Sequence, residues 1–131
     1  MPGRETPECI AVRSWLRQAR GYEIRMREAV ARERLLAGVP DSIDTERLRA
    51  RQKAATDAWA RAWADRAMAV DSVPDARWAA VLGYRYLQGM TIMQISVEMG
   101  IDYKTVQDWD RSGSLWLSDQ GYPDIKKEAP R

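Results

Sequence analysis

Thr91-Ile92-Met93-Gln94-Ile95-Ser96-Val97-Glu98-Met99-Gly100-Ile101-Asp102-Tyr103-Lys104-Thr105-Val106-Gln107-Asp108-Trp109 contains two helix starts and one helix stop. Thr91 followed three residues later by Gln94 is a capping box, in which each side chain accepts a backbone N–H that the helix start leaves unsatisfied. Gly100 ends that helix, because glycine takes the left-handed backbone of a tight turn without a Cβ clash. Asp102 caps the helix that follows. Ile95 and Met99 then face a core from the first helix, and Val106 and Trp109 face it from the second. Ser96 is small where the two helices must cross closely, and Ile101 plugs the turn. This arrangement leaves Tyr103, Lys104, Thr105, Gln107, Asp108 and Arg111 on the outer face of the second helix.

Working outward toward the N-terminus, residues 74–88 read as a helix that buries Trp78, Val81, Leu82 and Tyr86 and stops at Gly89. Ser72 and Asp75 stand in capping-box relation ahead of it. Before that lie two longer helices. Thr6-Pro7-Glu8 opens the first with a cap, a proline suited to the first turn and an acid at the positive end of the dipole. Val12, Trp15, Ala19, Tyr22, Met26, Ala29, Glu33 and Leu36 then alternate spacings of three and four, the narrow seam of a coiled coil. Gly38-Val39-Pro40-Asp41 stops it. The second long helix, capped near Ser42, Asp44 or Thr45, runs to about Val70. Its seam is mostly small: Leu48, Ala55, Ala62 and Ala69 recur every seven residues, with Gln52, Trp59 and Arg66 between them. Small groups opposite Trp15, Tyr22 and Met26 let two antiparallel helices approach. A two-helix hairpin has a thin core, so residues 1–71 are expected to pair with a second copy over Trp59 or Trp63.

Composition narrows the chemistry. The 131 residues include no histidine and a single cysteine, Cys9. The commonest general base and metal ligand is therefore missing, and no intrachain disulfide can form. There is no Gly-rich phosphate loop and no nucleophile elbow, and Asp108 and Asp110, two apart on a helix, diverge. No enzymatic activity, cofactor or metal is expected. No apolar run is long enough to span a membrane and no signal peptide precedes the first helix, so a cytoplasmic location is expected. The net charge is only +2, with 14 basic and 11 acidic residues in 1–71 against 7 and 8 in 72–131. The expected reader is thus not the basic part of the chain.

The outer face of the second helix in a helix-turn-helix enters the DNA major groove, which makes double-stranded DNA the expected partner. Lys104 and Arg111 suit phosphate, and Tyr103, Thr105 and Gln107 suit base edges or the sugar-phosphate backbone. Asp108 can accept a hydrogen bond from cytosine N4. Thr91 and Gln94, at the start of the preceding helix, complete the candidate DNA contacts.

Trp78 to Trp109, with Leu82-Gly83-Tyr84-Arg85-Tyr86-Leu87-Gln88-Gly89-Met90-Thr91 leading into the motif, resembles the fourth region of bacterial sigma factors. More closely it resembles the ArpU/RinA-type phage late-gene transcriptional regulators, in which a similar motif follows a long charged helical segment. The resemblance implies phage or prophage origin, transcription regulation in a bacterial host and RNA polymerase as a further candidate partner. Ser96 replaces the family's usual Ala, and Asp108 and Asp110 stand where it often has basic or neutral residues.

The expected molecule is all-α: a coiled-coil-like helical hairpin at 1–71 for oligomerisation or docking of a partner such as RNA polymerase, a three-helix helix-turn-helix domain at 72–117 with reader helix 103–116, and a flexible tail at 118–131. Two alternatives share these features. One is a DNA-packaging subunit resembling a small terminase; the other is a helix-turn-helix module that binds RNA polymerase or a sigma factor.

Overall fold

The computed structural model of the chain describes residues 6–123, which form five α-helices with no strand among them. α1 spans Pro7–Arg34 and α2 spans Ile43–Asp71. α3 spans Ala76–Leu82 and continues into a π-turn at Gly83–Leu87; α4 spans Ile92–Met99 and α5 spans Tyr103–Asp119. None of these helices is long and apolar enough to cross a membrane.

The long helices begin where their caps dictate. Thr6 Oγ1 accepts the Cys9 N–H at 3.1 Å, with Pro7 in the first turn where its missing N–H costs nothing. At the start of α2, Ser42 Oγ accepts the Thr45 N–H and Thr45 Oγ1 accepts the Ser42 N–H at 2.7 Å, so threonine does the work of the usual Glu or Gln. Ahead of α3 the expected box does not form. Asp75 alone caps that helix, while the Ser72 hydroxyl turns back to the Ala69 carbonyl at the end of α2.

α1 and α2 are antiparallel: Arg66 reaches the Trp15 carbonyl at one end, and Arg49 lies 3.8 Å from Glu33 at the other. The expected seam residues of both helices are buried or half-buried. Arg66 is the polar member that needs explaining. Its guanidinium donates to three neutral acceptors, the Trp15 and Ala62 carbonyls and Gln18 Oε1, and lies 4.5 Å from the Trp15 ring centre. Planar fork geometry and stacking let arginine occupy a site lysine could not.

α1 also buries a second row, Cys9, Arg13 and Leu16, against the π-turn and α5. Val12 and Leu16 of α1 share one core with Ala69 and Val70 of α2, Val73, Leu82 of α3, Tyr86 of the π-turn and Leu117 of α5. Trp15, Trp78, Trp116 and Tyr122 pack around it. A smaller cluster of Val81, Ile92, Ile95 and Val106 holds α4 in place, flanked by Met99, Ile101 and Trp109.

Two expected boundaries change as a result. The turn at 71/72 is present, but the apolar core crosses it, so the hairpin base and residues 72–117 form one packed unit. The tail does not begin at Ser118, because α5 continues to Asp119 and the Tyr122 ring lies 5.5 Å from that of Trp15. The rest of the expected tail, from residue 124, lies outside the described residues.

Candidate nucleic-acid interface

α4, the turn at 100–102 and α5 form a helix-turn-helix whose closure rests on three residues. Gly100 has φ +68°, the left-handed conformation that the sequence demanded. Ser96 Oγ donates to the Ile101 carbonyl at 2.5 Å, so the serine clips the turn as well as being small. Asp102 Oδ1 accepts the Thr105 N–H at 3.2 Å, and the Thr105 side chain, followed by this N–H, holds the Asp102 carboxyl below its ordinary pKa. At the other end, Thr91 Oγ1 accepts the Gln94 N–H at 3.1 Å and Gln94 Oε1 accepts the Thr91 N–H at 2.8 Å. The polar oxygens of these two candidate contact residues are therefore engaged in fixing the helix start, while both residues remain exposed.

The expected reader face divides in two along α5. Tyr103, Lys104 and Gln107, in its first two turns, are exposed, and Thr105 is half-buried beside them. One turn further on, the N-terminal half of α1 covers the helix. Arg111 is half-buried there, with its Nη1 3.2 Å from Asp108 Oδ1. Arg111 thus departs from the expected outward position, and Asp108 is paired within its own helix instead of standing as an isolated negative charge.

Asp110 departs further. It is 1% exposed and lies on the buried row Val106, Asp110, Gly113, Leu117. Tyr86 Oη donates to its Oδ1 at 3.1 Å, Arg85 Nη1 donates to its Oδ2, Arg13 Nη2 lies 3.8 Å away, and Ser114 Oγ donates at 3.5 Å. A buried carboxylate is tolerable only with such partners. It joins α1, the π-turn and α5, and cannot confront DNA. Burial and the Asp110 charge together push the Tyr86 phenol well above its ordinary pKa, so it is a fixed donor. The π-turn places the adjacent Arg85 and Tyr86 on the same carboxylate, with the Gln88 N–H bonded five residues back to Gly83.

Beside this hub, between α1 and α5, lies a cleft of about 270 Å³ lined by Arg13, Arg17, Arg85 and Arg111 together with Tyr103 and Gln107. Sequence reasoning missed the first three. They sit on elements far from the motif, and only the burial of α1 against α5 brings them to the reader helix. The exposed apolar groups of α4, Met93 and Val97, lie away from this cleft on a separate shallow groove.

Cys9 is buried beneath the same region, and its thiol is pushed above its ordinary pKa first by burial and then by Asp110. That makes it a packing residue with little thiolate. Among the described residues no group of three or more His, Cys, Asp or Glu side chains is placed to hold a metal ion. Of the tryptophans, Trp15, Trp78, Trp109 and Trp116 pack on the two cores, while Trp63 on α2 is 40% exposed. Comparison of the chain with known protein families, curated proteins and solved structures returned no match.

Proposed function

We propose that this protein is a double-stranded DNA-binding regulator of transcription that reads the major groove with the first turns of α5. One observation carries the reading: Tyr103, Lys104 and Gln107 are presented on the exposed N-terminal face of the second helix of a helix-turn-helix. That end is where recognition helices meet base edges. The acids that spoke against DNA are accounted for, since Asp110 is buried among cations and Asp108 is paired with Arg111. Lys104 supplies a phosphate contact, and Gln107, with two donors and an acceptor on its amide, supplies base readout. The likeness of 78–109 to the ArpU/RinA-type regulators belongs to this proposal, with a bacterial host and contact to RNA polymerase. So does pairing of two copies through the hairpin, for which the exposed Trp63 of α2 is the anchor.

Incubating the full chain with a pool of random duplexes and sequencing the bound fraction tests the proposal. A recurring site should emerge; a bound fraction with the composition of the input contradicts it. A second reading, a module that binds protein, is favoured by the exposed apolar side chains of Met93 and Val97 on α4, 63% and 79% accessible. It predicts no duplex binding and capture of RNA polymerase that is lost in Met93→Glu.

A further inference from the structure

Four guanidiniums and one carboxylate line the cleft between α1 and α5. The carboxylate, Asp110, is already shared by Arg85 and Arg13 and by the Tyr86 hydroxyl. Arg17 has no carboxylate partner among the described residues; its guanidinium rests 5.8 Å from the Tyr86 ring centre. Arg111 is joined to Asp108, and its Nε is buried without a hydrogen-bond partner. Positive charge therefore outweighs negative in this recess, where charge–charge interactions are screened less than on a flat surface. Tyr103 and Gln107 of α5 form its rim, so whatever fills it lies beside the reader face.

Planar guanidiniums in a recess match the oxygens of a tetrahedral anion, which they bind through paired, charge-assisted hydrogen bonds. We propose that this cleft is an oxyanion site for a phosphate group, held by Arg17 and Arg111 with Arg85 and Arg13 behind them, and that the phosphate is one of the DNA backbone next to the bases under α5. The anion site stands on the cleft alone, while its assignment to a backbone phosphate rests on the DNA reading above. On this account α1 is part of the DNA interface. The hairpin then supplies, along its contact with the reader helix, the basic charge that residues 72–131 lack.

The test compares the full chain with Arg17→Ala and Arg111→Gln, using Arg61→Ala on the exposed face of α2 as a control with the same loss of charge. Each is titrated with pyrophosphate by calorimetry, and with a duplex selected by the wild type across a range of salt. Pyrophosphate binding should be saturable, weakened about tenfold in Arg17→Ala and Arg111→Gln and unchanged in Arg61→Ala. The salt slope of duplex binding should fall by roughly one in Arg17→Ala. Pyrophosphate binding that is lost in the variants while duplex binding is absent or unaffected keeps the anion site but makes its ligand a free phosphate compound. Lack of pyrophosphate binding, with Arg17→Ala no different from Arg61→Ala on DNA, overturns the site. Duplex binding that still depends on Lys104 and Gln107 would then leave the DNA reading standing.

Discussion

Tyr86 Oη donates to Asp110 Oδ1 at 3.1 Å, and through this bond the π-turn grips the middle of α5. Both residues are almost fully buried, and Arg85 and Arg13 close the same carboxylate from two sides. Asp110→Asn leaves Tyr86 an acceptor but takes from Arg85 the carboxylate it donates to and removes a negative charge 3.8 Å from Arg13. It should destabilise the fold by about 3 kcal/mol, since removing one partner of a buried ion pair leaves the other charge uncompensated. Denaturant unfolding checks this; a midpoint equal to wild type at equal m-value would show that the hub is not a stabilising contact.

Gly113 and Gly100 answer to different constraints, and substitution separates them. A Cβ on Gly113 would stand 2.8 Å from Leu82 Cδ1 and 3.3 Å from Trp78 Cβ, so α3 and α5 approach closely enough that the buried Leu82 must shift to admit a methyl group. Gly113→Ala should therefore cost about 1–3 kcal/mol, although alanine is the better helix former by about 1 kcal/mol. At Gly100 nothing lies within 4 Å, and only the φ of +68° resists a side chain. Gly100→Ala should cost about 1 kcal/mol and Gly100→Val more. Gly113→Ala melting above wild type would show that helix propensity outweighs the close approach.

Because the core crosses residue 72, a fragment of 72–131 should not fold alone. It loses Val12 and Leu16 from the cluster holding Leu82, Tyr86 and Leu117, and it loses Arg13 from Asp110. Far-ultraviolet circular dichroism should show little helix and no cooperative melt. A fragment with a sharp thermal transition would make the helix-turn-helix an independent domain after all.

Much of this was legible in the sequence. The caps at Thr91 and Asp102, the stop at Gly100 and the seam from Val12 to Leu36 depend on neighbours a few residues away, and local spacing reveals such features. The burial of Asp110 had a local signal too, since it shares the 3–4 spacing of Val106, Gly113 and Leu117. Charge argued against it, because a lone acid on a buried row is costly and its partners are distant: Arg85 lies 25 residues away and Arg13 is on another helix. The second row of α1, Cys9, Arg13 and Leu16, stayed hidden behind the stronger coiled-coil seam. The basic cleft forms only where that row packs α1 against α5, and so could not be read from the motif.

Asp75 gives a pH signature. The Arg77 guanidinium beside it lowers its carboxyl from 3.8 to about 2, helped by the backbone N–H groups of Arg77 and Trp78. A carboxyl whose pKa is lower in the folded state stabilises when ionised; that contribution is complete above the ordinary value and is lost as pH falls through the folded one. Asp75→Asn keeps a capping oxygen without the charge. It should melt slightly below wild type at pH 6, with the gap closing as the pH approaches about 2. A gap independent of pH would assign the effect to packing.

If the exposed first turns of α5 discriminate bases, Gln107 is the residue whose loss shows it most sharply. Equilibrium titration of the full chain and of Gln107→Ala, each against the duplex recovered from selection and against the same duplex with single base pairs exchanged, measures it directly. Wild type should prefer the selected duplex, and Gln107→Ala should lose roughly 1–3 kcal/mol of that preference at one base pair while its affinity for unrelated duplex is unchanged. Equal discrimination by the two proteins at every exchanged pair would contradict it.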